Sequence, residues 1–191
     1  RPPFTYQGGR ARAEALFEVG RISSGFIEYH RALRAAPDAA PDALGACVRS
    51  KRCGALLKAF DRLKHLNDQG IRLVQAGDSR SAMRVFGEAL GLDPNDVNSL
   101  LNMGFAAYVQ GRLDIALDAY DRVLGSPPNS RMTGAQNAAL SESAALSGRA
   151  LVLSKLGRKA TAVAEIEASL RDSRLTHSCR AMLEDTLRAI Q

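Results

Sequence analysis

An all-α solenoid of antiparallel helix pairs is the fold class this 191-residue sequence predicts, and three observations predict it. Residues 63–96 and 97–130 carry the same pattern of small and large side chains one 34-residue period apart. In the first stretch Gly70, Leu73, Gly77, Ala82, Phe86, Ala89 and Pro94 fall at positions 8, 11, 15, 20, 24, 27 and 32, and Gly104, Ala107, Gly111, Ala116, Tyr120, Val123 and Pro128 answer in the second. Alanine, leucine and arginine dominate, aromatics make up 5% and tryptophan is absent, which suits close-packed helices better than strands. At 46% apolar the chain can bury a sizeable core in one elongated domain.

Each repeated position has a physical task. Small residues at 8 and 20 let two antiparallel helices approach, the glycine at 15 ends the first helix, the aromatic at 24 fills the next groove, and the proline at 32 stops the second helix. On these residues the chain resembles the tetratricopeptide repeat (TPR) family, which implies a TPR-type α-solenoid.

The register extends outward from the two best repeats. Residues 6–39 read as a degenerate repeat with Ala13, Leu16, Gly20, Gly25, Tyr29, Ala32 and Pro37 in the expected places. Residues 40–62 form a spacer in which Leu44, Cys47, Val48, Leu56, Leu57 and Phe60 predict an additional or extended helix, interrupted by Gly45 and Gly54. Residues 131–142 are an insertion, and the helix-forming run 135–156 predicts that the first helix of the last repeat is lengthened backward. Residues 143–176 give Leu146, Ala150, Leu153, Gly157, Ala162 and Ile166, although Arg174 replaces the terminal proline. Residues 177–191, with Met182, Leu183, Leu187 and Ile190 apolar, are expected to close the array, because the last repeat has no neighbour to cover its apolar face.

The net charge of +6 is unevenly spread: Lys and Arg number 11 against 6 Asp and Glu in residues 1–62, 6 against 8 in 63–130, and 9 against 6 in 131–191. The clearest repeats are therefore the acidic part, and the one dense basic cluster is Arg49-Ser50-Lys51-Arg52, a poor footprint for nucleic acid. No window approaches 18 consecutive apolar residues, so no membrane-spanning segment is expected. The chain begins at Arg1, and we expect an N-terminus removed as a signal peptide, carried on a lipid-anchored tether, or cut at an artificial boundary.

Nothing assembles into an active site, and no enzyme activity, metal or cofactor is expected. His30, His65 and His177 lie apart, outside any His-Glu-x-x-His or glycine-rich phosphate motif. Cys47, Cys53 and Cys179 cannot all pair internally. They read either as three half-buried helix residues or as a Cys47–Cys53 bridge, and the bridge would require that residues 47–53 not be continuous helix.

The resemblance implies that function lies on the concave face, where positions 2, 5, 6, 9, 12 and 13 of each first helix meet a partner. Those are Lys64, Asn67, Asp68, Ile71, Val74 and Gln75 in one repeat; Asn98, Leu101, Asn102, Phe105, Tyr108 and Val109 in the next; and Ala144, Ser147, Gly148, Leu151, Ser154 and Lys155 in the last. Lys64, Asn67, Ile71, Asn98, Leu101, Asn102, Phe105, Tyr108, Leu151 and Lys155 are the expected partner contacts: asparagines for a peptide backbone, apolar residues for its side chains. Phe105 and Tyr108 could instead pack on an element of the chain itself. Relatives that clamp the C-terminal carboxylate of heat-shock chaperones carry five polar or cationic residues of which this chain keeps Asn102 alone, with Asn67, Ile71, Ala144 and Gly148 at the others, so that role is disfavoured.

The expected function is a non-enzymatic scaffold that binds a peptide or helical segment of a partner protein. Arginine over lysine, 21 against 5, suggests a GC-rich bacterial genome. The chain is similar in general character to the TPR lipoproteins that assist Tad/Flp pilus or secretin assembly, which implies a periplasmic or outer-membrane setting. The alternative is a structural module that associates with itself.

Overall fold

The computed structural model describes residues 6–18, 22–35, 51–125, 135–173 and 175–191. Among these, every regular element is helical, and nine helices follow one another: α1 (Tyr6–Glu18), α2 (Ile22–Ala35), α3 (Lys51–Gln75), α4 (Ser79–Leu92), α5 (Val97–Val109), α6 (Leu113–Gly125), α7 (Ala135–Lys155), α8 (Lys159–Leu170) and α9 (His177–Ile190). Consecutive helices pack as antiparallel pairs, and α3, α5 and α7 also touch one another in sequence, so the first helices of the repeats line one face. The expected all-α solenoid is what the chain forms.

Glycine chemistry ends α3, α5 and α7. Gly77, Gly111 and Gly157 have φ of 80°, 72° and 76°, a left-handed conformation that side chains resist. At each, two crossed backbone bonds close the helix: Asp78, Arg112 and Arg158 donate to Leu73, Ala107 and Leu153 at 2.9, 2.8 and 2.8 Å, while the glycine N–H reaches the carbonyl of Val74, Tyr108 or Ser154. The second helix then starts on a side-chain cap in one case, where the Asp78 carboxylate accepts from Ser81 N at 3.0 Å.

Close approach within each pair follows from the small residues. A Cβ placed on Gly70 would sit 2.3 Å from the Phe86 ring, and one on Gly104 would sit 2.8 Å from the Tyr120 ring. The N-terminal pair obeys the same rule, with Gly25 against Phe17 at 2.4 Å. In the last repeat Ala150, Ala162 and Ile166 do the work and are fully buried.

The described part of the spacer, residues 51–62, extends the repeat helix, and residues 40–50 lie outside the described residues. Gly54 lies inside α3 without breaking it. A mid-helix glycine costs about 1 kcal/mol, which the burial of Leu63 and Leu66 along the same helix outweighs. Phe60 meets the Phe26 ring at 4.7 Å and joins the N-terminal pair to α3. Gly45, Cys47 and Pro128 lie outside the described residues. Helix α7 begins at Ala135, lengthened backward as the composition predicted.

The C-terminal end is closed by α9, which packs on both α7 and α8. Leu183 and Ile190 join Ala150, Leu153, Ala162 and Ile166 in one buried cluster. Arg180 donates to the carbonyls of Leu170 at 2.9 Å and Asp172 at 3.3 Å, satisfying acceptors that the end of α8 leaves open. Thr176 caps α9 by accepting from Cys179 N at 3.3 Å.

Candidate functional site

The inner face of α3, α5 and α7 holds the expected contacts, and the structure sorts them into two groups. Ile71, Phe105 and Val109 are 39%, 49% and 53% exposed, among the largest apolar side chains left open to solvent. Leu151 stands at the same repeat position as Ile71 and Phe105, half-buried against the C-terminal core. Because α3, α5 and α7 lie side by side, this position forms an apolar line across three helices. Lys64 and Asn98 are exposed at one end of it, and Asn102 is half-buried.

The second group is committed internally. Asn67 is buried: its Nδ2 donates to Asp96 Oδ2 at 3.2 Å, and its Oδ1 lies 3.1 Å from the Ser99 hydroxyl. Asp96 caps α5 by accepting from Ser99 N at 2.8 Å, so Asn67 latches α3 to the start of the next repeat. The expectation that Asn67 offers its amide to a partner is thereby corrected, because sequence spacing could not show that the adjacent cap competes for it. Tyr108 and Leu101 pack against the central core cluster. Lys155 Nζ sits 4.0 Å from the Tyr108 ring centre, a cation–π contact that ties α7 to α5.

Two features of this face escaped sequence reasoning. Gly148, at a groove position, is the floor on which Tyr120 rests: a Cβ there would lie 2.2 Å from the ring and 2.6 Å from the hydroxyl oxygen. Burial, with Tyr108 nearby, pushes the Tyr120 phenol up to about 12, so it stays neutral at physiological pH. Beside it Ser147 Oγ is buried without a hydrogen-bond partner. The signal that could have revealed the first is the glycine at position 6, where a binding face has no need of one. Leu156, 45% exposed in the turn after α7, was also overlooked.

The face offers apolar anchors flanked by amides and lysines, a surface suited to adhesion. His65 and His177 are exposed and apart, Cys179 is a free buried thiol, and the described residues contain no cluster of three metal-ligating side chains. Cys47 and the side chain of Cys53 lie outside the described residues, so the bridge between them stays an expectation, though the backbone of Cys53 is helical. Among the described residues, no helix is long and apolar enough to cross a membrane.

A solenoid of paired helices with a 34-residue period defines a helical repeat protein. Residues 73–139 match the model of the tetratricopeptide repeat family, and the chain carries tetratricopeptide repeats there. In structure it is similar to the type III secretion translocator chaperone SycD of Yersinia enterocolitica, with 19% identity and a TM-score of 0.51, covering 68% of this chain and 92% of that one. At that identity the likeness shows the fold. Among curated proteins, no sequence matches this chain.

Proposed function

We propose that the chain is a non-enzymatic protein–protein interaction module whose inner face receives an extended or helical segment of a partner protein. The observation that carries this reading is the line Ile71, Phe105 and Leu151, apolar at one repeat position in three adjacent helices and open to solvent at the first two. An occupant that buries such a line gains hydrophobic free energy, and the flanking Asn102 and Asn98 supply backbone partners. The setting we propose is a bacterial envelope machine of the secretion or pilus kind, the chain acting at the periplasmic face. The arginine-rich composition and a fold shared with a secretion translocator chaperone support that setting.

The test uses peptides selected from a random library on the purified chain. Ile71→Glu with Phe105→Glu should weaken their binding at least about a hundredfold with unchanged helical circular dichroism, since two buried contacts are worth about 1.5–3 kcal/mol each. Binding that survives both substitutions discards the reading. A second reading is self-association through the same face, favoured by the description of the Yersinia chaperone as a dimer. Light scattering over a range of concentrations decides it: an oligomer dissociated by the same two substitutions establishes that reading instead.

A further inference from the structure

The turns that follow the first helices lie along one edge of the solenoid, because α3, α5 and α7 run side by side and each reverses at its glycine. Two of these turns share an unusual surface. At the end of α5 stand Val109, 53% exposed, and exposed Arg112; at the end of α7 stand exposed Lys155, Leu156 at 45%, Arg158 and, opening α8, Lys159. Four cations thus face a single carboxylate, Asp114. Arg112 and Arg158 make no ion pair within the described residues. Lys155 rests on the Tyr108 ring, and Lys159 donates to the Gln191 main-chain oxygen at 2.5 Å. The turn after α3 differs, since Arg80 there lies beside an ionised Asp78.

We infer that the paired turns 109–114 and 155–160 are a peripheral docking surface for an anionic phospholipid bilayer. A Cβ on Gly111 or Gly157 would meet nothing within 4 Å, so both turns project into open space and present their apolar residues outward. Projecting tips cannot enclose an extended acidic peptide, which needs a groove. They fit a soft plane that admits Val109 and Leu156 between headgroups while the cations stay at the phosphates. The surface adjoins the inner face at Val109 and Lys155 without using Ile71, Phe105 or Leu151, and the inference stands without the proposed partner.

The test is co-sedimentation of the whole chain with vesicles of phosphatidylglycerol and phosphatidylcholine, against vesicles of phosphatidylcholine alone. The expected result is binding to the anionic vesicles only, falling as salt shortens the screening length. Arg112→Glu with Arg158→Glu should weaken it at least about tenfold, since each cation contributes about fivefold. Leu156→Ser should weaken it severalfold, and Leu140→Ser, an exposed leucine near the opposite end of α7, should leave it unchanged. Circular dichroism confirms folding of each variant. Absence of binding at low salt, or indifference to the double reversal, overturns the inference. So does binding to poly-glutamate that matches binding to vesicles and ignores Leu156→Ser, which would mark a surface for acidic polymers.

Discussion

The two seams between successive repeats solve one packing problem by different chemistry. At the first, where α3 and α4 meet α5, a polar latch of Asn67, Asp96 and Ser99 holds the junction. Phe86 fills its own hairpin against Gly70, and Gly87 faces Met103 at an ordinary 3.8 Å. At the second, where α5 and α6 meet α7, the position of Asn67 is taken by Leu101, and Tyr120 spans the seam from Gly104 to Gly148. Arg149 then bridges outward, donating to Asp121 at 2.5 Å and to Glu165, with Glu165 chiefly holding its guanidinium charged. Equivalent repeat positions therefore close their seams differently: Phe86 shares a buried cluster with Ala106 and Met103 of the next repeat beside the polar latch, whereas Tyr120 reaches across onto Gly148.

The largest expected effect comes from removing the spanning aromatic. Tyr120→Ala should cost about 3–5 kcal/mol in denaturant unfolding, as for other buried aromatics, and a loss under about 1 kcal/mol would show that the second seam does not depend on it.

Alkaline titration probes the same ring without deleting it. A phenol raised from about 10 to about 12 on folding gives stability that is complete below pH 10 and lost as pH climbs to 12, on the order of 2–3 kcal/mol. Unfolding measured from pH 9 to 12 should fall more steeply for the natural chain than for Tyr120→Phe; equal slopes would contradict the burial argument.

Adding a methyl group to a glycine should act with opposite signs at the two seams. Gly148→Ala places a carbon 2.2 Å from a ring that cannot yield, and should destabilise by about 1–3 kcal/mol. Gly87→Ala, in open helix surface, should stabilise by about 0.5–1 kcal/mol. Thermal melts of the two variants moving together would break the contrast.

The polar latch is the smaller contribution. Asn67→Ala should cost about 1–2 kcal/mol, because Asp96 keeps its bonds to Ser99 while one buried amide pair is lost. A null result in unfolding would leave the first seam to apolar contacts alone.

Much of this was legible because it is local. A glycine at position 15 must adopt a left-handed turn, and small residues at 8 and 20 must face an aromatic, so Gly77, Gly111, Gly157, Gly70 and Gly104 could be assigned from spacing alone. Among the inner-face residues, Ile71 and Phe105 were expected from the resemblance to tetratricopeptide repeats, and both side chains are open to solvent. Asn67 and Gly148 were not, since each is claimed by a residue 29 or 28 positions away, Asp96 or Tyr120.

By itself the sequence determined the helices, their ends, their pairing and the period that stacks them, because capping, helix propensity and close approach act within one repeat length. Only the tertiary structure decided which inner-face groups are open and which are consumed, since that depends on the side chain the next repeat delivers to the seam. It also brought Val109 and Arg112 onto one edge with Leu156 and Arg158, a consequence of parallel first helices that no single repeat encodes.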